Sequence, residues 1–101
     1  MRTSADAHEK RFGAVSDDDW SAFLREAVTP RFPDGLTVWR AEGQWREASG
    51  AIVREASFVL EIVHSGDAAS EEAVELVRAD YRSRFRQEAV LRITAPVRVQ
   101  F

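Results

Sequence analysis

Apolar and polar residues alternate most regularly between Gly35 and His64, in the stretch GLTVWRAEGQWREASGAIVREASFVLEIVH. Two runs rich in Val, Ile, Trp, Phe and Leu flank the short polar segment Glu47-Ala48-Ser49-Gly50. That pattern predicts two long strands joined by a hairpin loop, with the rest of the chain packing against them.

The period changes on either side. Ser16 is a good helix N-cap, with Asp19 three residues on, and Asp17, Asp18 and Asp19 suit the positive end of a helix dipole. Trp20, Phe23, Leu24, Ala27 and Val28 then form one apolar stripe at helical spacing. Pro30 ends it by pushing Thr29 towards an extended conformation. Pro33-Asp34-Gly35 is turn chemistry leading into the hairpin. A second helix is expected over about 70–85, with Asp67 and Ser70 as competing caps. Its buried stripe is Val74, Val77, Tyr81 and Phe85, and its last turns are crowded with arginine. Leu76 points away from that stripe.

The ends are less regular. Residues 1–15 read as an N-terminal arm, unstructured over 1–7, with a weak first strand from His8. Residues 89–95 read as a last strand. Pro96 then breaks the ladder and leaves an extended tail, Val97-Arg98-Val99-Gln100-Phe101. The expected order is β-α-β-β-α-β in one α+β domain over 16–101, the ferredoxin-like arrangement, with two helices on one face of an antiparallel sheet.

If Trp45 pairs near Ile52, Trp39, Ala41, Trp45, Ala56, Phe58, Leu60 and Ile62 point at the helices. Val38, Arg40, Glu42, Gln44, Val53, Glu55, Ser57, Val59, Glu61 and Val63 then point away. A bulge at Gly43 would shift this register. An open sheet face is ordinarily polar, whereas this one would carry several valines, each gaining ~1.5 kcal/mol or more on leaving water. A homodimer formed through that face is the expected remedy, with residues 97–101 reaching across as a clasp.

Composition narrows the function. With 101 residues, 45% hydrophobic and 31% charged, the chain is an ordinary globular domain. A net charge of −3 argues against a nucleic-acid partner. The 13 arginines beside the lone Lys10 read as the codon usage of a GC-rich bacterium. Cysteine is absent, which removes thiolate chemistry and Cys-ligated metals. No apolar run is long enough to cross a membrane and no signal peptide is legible, so a cytoplasmic protein is expected, or one trimmed of an export signal.

Several motifs also resemble a small bacterial family catalogued only as a domain of unknown function. They are TPRFPDGLTV (29–38), GQWR (43–46), IVREAS (52–57) and RFRQEAVLR (84–92), spaced through residues 16–95. The resemblance implies a ferredoxin-like α+β fold and no settled activity. Gln44, Trp45, Arg46, Arg54, Glu55, Ser57, Gln87 and Glu88 correspond to its signature positions. Ala56 and Phe58 stand where the family usually has proline and lysine, the loop before Ser16 is shorter, and the first strand is less apolar.

Only His8 and His64 are available for a catalytic triad and no nucleophile elbow appears. No metal-ligand spacing and no Gly-rich phosphate loop is present, so neither a metal nor a cofactor is expected. The remaining chemistry is the polar set on the covered face. Glu55 and Glu61 are the candidate acids or bases, and Arg40 and Arg92 the candidate holders of an anionic oxygen. Gln44, Arg46, Arg54, Ser57 and His64 are the candidate substrate contacts. The matching function is proton transfer on, or binding of, a small organic molecule. The alternatives are a non-catalytic dimerisation module, or an accessory subunit docking a larger enzyme through Leu76 and residues 97–101.

Overall fold

A computed structural model describes residues 2–4, 15–87 and 90–101. The elements are β1 (Arg2–Ser4), α1 (Asp17–Phe23) running into a π-helical turn (Leu24–Val28), β2 (Thr37–Arg46), β3 (Ile52–Glu61), α2 (Ala68–Phe85) and β4 (Val90–Leu91). The sheet is antiparallel at every pairing, in the order β2-β3-β1-β4.

Both helix starts follow from their caps. The Ser16 Oγ accepts the Asp19 N–H at 3.0 Å, and the Asp19 carboxylate reaches back to the Ser16 N–H. That reciprocal box satisfies two of the backbone donors a helix start leaves unpaired. For α2 the competition is settled in favour of Asp67, whose carboxylate accepts the Ser70 N–H at 2.8 Å, so the helix begins at Ala68. It ends with Arg86 in the left-handed region (φ 53°) and Gln87 N–H donating to the Arg82 carbonyl at 3.1 Å, a Schellman closure.

The core lies between the helices and one sheet face. Trp20 stacks on Phe58 with centroids 4.7 Å apart, Phe23 meets the edge of Tyr81 at 5.2 Å, and Leu60, Val28, Val77 and Val90 fill around them. The π turn aims Val28 inward, with Thr29 N–H bonding the Leu24 carbonyl at 2.8 Å.

The expected register of the hairpin is off by one. Trp45 pairs with Val53, and pairing runs without interruption from Arg46–Ile52 to Thr37–Glu61. The cause is the turn. Gly50 N–H bonds the Glu47 carbonyl at 2.9 Å, Glu47 N–H bonds the Ala51 carbonyl at 3.0 Å, and Gly50 has φ +90°. This is a three-residue loop closed by a glycine bulge, so the extra residue sits at Gly50 and not at Gly43. A one-residue shift sends a strand's side chains to the opposite face. The assignment therefore holds for β3 and inverts for β2. Val38, Arg40, Glu42, Gln44 and Arg46 share the helix side with Phe58 and Leu60. Trp39, Ala41, Gly43 and Trp45 share the outer side with Val53, Glu55, Ser57 and Val59.

The ends differ too. Residues 2–4, expected to be unstructured, pair with both β3 and β4. The expected strand from His8 lies outside the described residues, except Val15, which is not in a strand. The last strand is two residues rather than seven, and 92–101 carry no regular structure.

Candidate functional site

The outer face of the β2–β3 hairpin concentrates unusual side chains. Across the ladder, Trp39 lies opposite Val59, Ala41 opposite Ser57, Gly43 opposite Glu55 and Trp45 opposite Val53. Trp39 and Trp45 remain 46% and 40% exposed, while Val53 and Ser57 fall to 8% and 3%. Two small residues thus sit between two indoles, directly across from a carboxylate and a hydroxyl. Glu55 and Ser57 are two residues apart on one strand, ~7 Å between Cα atoms.

Their polar atoms are the notable feature. Glu55 Oε2 and Ser57 Oγ are buried, and neither has a hydrogen-bond partner among the described residues. A buried polar atom left unpaired costs ~1–3 kcal/mol, and native structures contain few of them. Here two lie side by side on one face, able to accept hydrogen bonds at both and to donate one from the hydroxyl.

The other candidates are elsewhere. Arg40 is on the helix side, paired with Asp17 at 2.7 Å and lying over the Phe58 ring at 5.3 Å. Arg92 is committed to α2, at 2.6 Å from Glu71 and 2.7 Å from Glu75, with its Nε donating to Thr94 Oγ1 at 3.0 Å. Gln44 and Arg54 form a cross-strand pair on the helix side, Arg54 Nε donating to Gln44 Oε1 at 3.3 Å. Arg46 is exposed on that same side. His64 lies beyond β3, its Nδ1 accepting the Gly66 N–H at 3.0 Å. Glu61 shares the outer face with Glu55 and Ser57 but is exposed at the strand end. The structure therefore keeps Glu55 and Ser57 together and separates both arginines from them: Arg92 because Glu71 and Glu75 of α2 hold it, and Arg40 because the face assumed for β2 was inverted. Trp39 and Trp45 were missed for the same reason. The Ser49-Gly50 pair was the available signal, since glycine at that point suits the bulged three-residue loop.

The family described as a protein of unknown function, DUF3574, matches residues 3–101. The chain belongs to the DUF3574 family. The match covers more of the chain than the motifs at 16–95 and, like them, carries no activity. No curated protein and no solved structure matches the chain.

Away from that face, this DUF3574 chain has a concavity unanticipated from sequence. A cleft of about 500 Å³ opens between the π turn and α2, lined by Phe23, Glu26, Ala27, Pro30, Arg31, Asp80, Ser83 and Arg84. Its charges are already matched. Arg31 contacts Asp80 at 2.7 Å and the Ala27 carbonyl at 2.9 Å, and Arg84 contacts Glu26 at 3.1 Å. No group of three or more His, Cys, Asp or Glu among the described residues could hold a metal ion. No helix among them is long and apolar enough to cross a membrane.

Perturbed acids lie away from the outer face. The guanidiniums of Arg92 and Arg78 hold Glu75 below the usual carboxylate range, and Glu75 and Glu71 in turn raise Arg92. Asp67 is lowered by its hydrogen bonds to Ser70. These shifts mark structural work. They secure the start of α2 and tie Arg92, just after β4, to that helix.

Proposed function

We propose that this DUF3574 chain is a ferredoxin-like, homodimeric domain that binds a small organic molecule on the outer face of its sheet. The observation that carries this reading is the pair of buried atoms Glu55 Oε2 and Ser57 Oγ, unpaired among the described residues and flanked by two exposed indoles. The sheet order and the β-α-β-β-α-β succession support the fold assignment. A ligand suited to this face is planar enough to lie against Trp39 or Trp45. It carries an N–H or O–H for the Glu55 carboxylate, and a polar atom for the Ser57 hydroxyl. If the domain is an enzyme, Glu55 accepts a proton from a carbon or heteroatom acid while Ser57 holds the neighbouring oxygen. The second copy covers part of that face, where Trp39 and Trp45 are half exposed.

The test follows the indole N–H signals of ¹⁵N-labelled protein during titration with phenols, anilines and aminopyrimidines. Shifts confined to Trp39 and Trp45, lost in Glu55→Gln and in Ser57→Ala, are expected. If no fragment moves these signals, or both variants bind as well as the parent, the ligand site is wrong. A dimer persisting in that case would leave the non-catalytic module as the better account.

A further inference from the structure

β2 lies at an edge of the sheet, and among the described residues only β3 pairs with it. Its ten residues expose a long open ladder, the feature proteins ordinarily cover or blunt. The Glu47–Ala51 hydrogen bond fixes which groups are free. Bonded and non-bonded pairs alternate in an antiparallel ladder. The odd positions of β2 therefore bond to β3, and Val38, Arg40, Glu42 and Gln44 turn their N–H and C=O groups outward.

A matching strand exists in the same sequence. Residues 97–101 have no regular structure, and Val97, Val99 and Phe101 are exposed on alternate positions. Pro96 stands before this run, where it costs no ladder bond. This segment follows β4, which forms the sheet edge opposite β2. Arg92 is held at that edge by Glu71 and Glu75.

We infer that residues 97–101 of one copy add as an antiparallel strand to the β2 edge of a second copy, reciprocally across a two-fold axis. Complementarity sets the register. Arg98 opposite Glu42 pairs opposite charges on the helix side. That register places Val97 opposite Gly43, Val99 opposite Ala41 and Phe101 opposite Trp39 on the outer side. Large side chains meet small ones there, and Phe101 meets an indole that is otherwise half exposed. The added strand widens the face that carries Glu55 and Ser57. This inference rests on the two-copy reading given under Proposed function and specifies how the copies are joined.

Sedimentation of the parent, Glu42→Arg, Arg98→Glu and the double reversal tests it, alongside amide exchange on β2. The parent should be dimeric at tens of micromolar. Each single reversal should weaken association about tenfold, and the double reversal should restore it. Arg40, Glu42 and Gln44 amides should exchange slowly in the dimer and quickly in the weakened variants. Circular dichroism confirms that the variants fold; both substituted positions, Glu42 and Arg98, are exposed. A parent that is monomeric, a dimer insensitive to both reversals, or a double reversal that fails to restore association would overturn the strand exchange. Indole titration of the same proteins reads the Glu55–Ser57 site separately, so loss of the dimer and loss of the ligand site are distinguishable.

Discussion

Ser57 illustrates how a single hydroxyl can be a liability for folding and an asset for binding. Its Oγ is buried without a partner among the described residues, so removing it relieves a desolvation cost at almost constant volume. Ser57→Ala should raise the unfolding free energy by about 1 kcal/mol, seen as a higher urea midpoint at unchanged slope, while weakening fragment binding. A lower midpoint would mean that the hydroxyl has a structural partner. Glu75 gives a pH signature of the opposite kind. Its pKa is lowered by Arg92 and Arg78, so it contributes stability that is complete above the ordinary carboxylate range. That contribution disappears as pH falls through the lowered native value. Glu75→Gln should destabilise the protein near neutrality and have progressively less effect towards pH 3, measured by urea unfolding across pH. At this scale the shared face of Glu55 and Ser57 was legible, because they alternate with the plainly buried Phe58 and Leu60. The surroundings of Arg40 and Arg92 were not. An arginine's partner depends on which element packs nearby, and both found carboxylates on helices.

Among the elements, the two helices could be read almost to the residue. Ser16 with Asp19, and Asp67 with Ser70, are local chemistry that needs no tertiary information. Replacing Ser16 by Ala should cost ~1 kcal/mol, with a matching fall in melting temperature. The π turn was invisible, because Leu24, Ala27 and Val28 fit ordinary helical spacing equally well. Residues 92–95 alternate as a strand does but stay unpaired, since alternation reports a possible face and not the presence of a neighbour. The hairpin was half legible. Its strands were evident, but its register depended on the backbone of Gly50 (φ +90°). Nothing lies within 4 Å of a Cβ built there, so Gly50→Ala would introduce backbone strain and no clash. A loss of about 1 kcal/mol is expected, in thermal unfolding, with the cross-strand contacts of Trp45 and Val53 preserved by NMR.

For the molecule as a whole, the layering was foreseeable because two amphipathic helices and one hairpin leave few ways to bury Trp20, Phe23 and Tyr81 together. Phe23 is completely buried where both helices meet the sheet. Phe23→Ala should cost about 3–5 kcal/mol and lower the stability of both helices in a single denaturation transition. Separate transitions for α1 and α2 would contradict a shared core. The shape was harder to foresee. The Cα extents are 43 × 26 × 23 Å, and Gln44, Arg46, Ile52 and Arg54 near the hairpin turn are exposed on the helix side.

The turn at Gly50 has an evolutionary corollary. Losing or gaining one codon there would exchange Trp39 and Trp45 for Arg40 and Gln44 on the outer surface, with every strand residue unchanged. Descendants of this gene can lengthen the loop by two residues, or rewrite β2 completely. A single-residue insertion would turn half of the ribbon inside out.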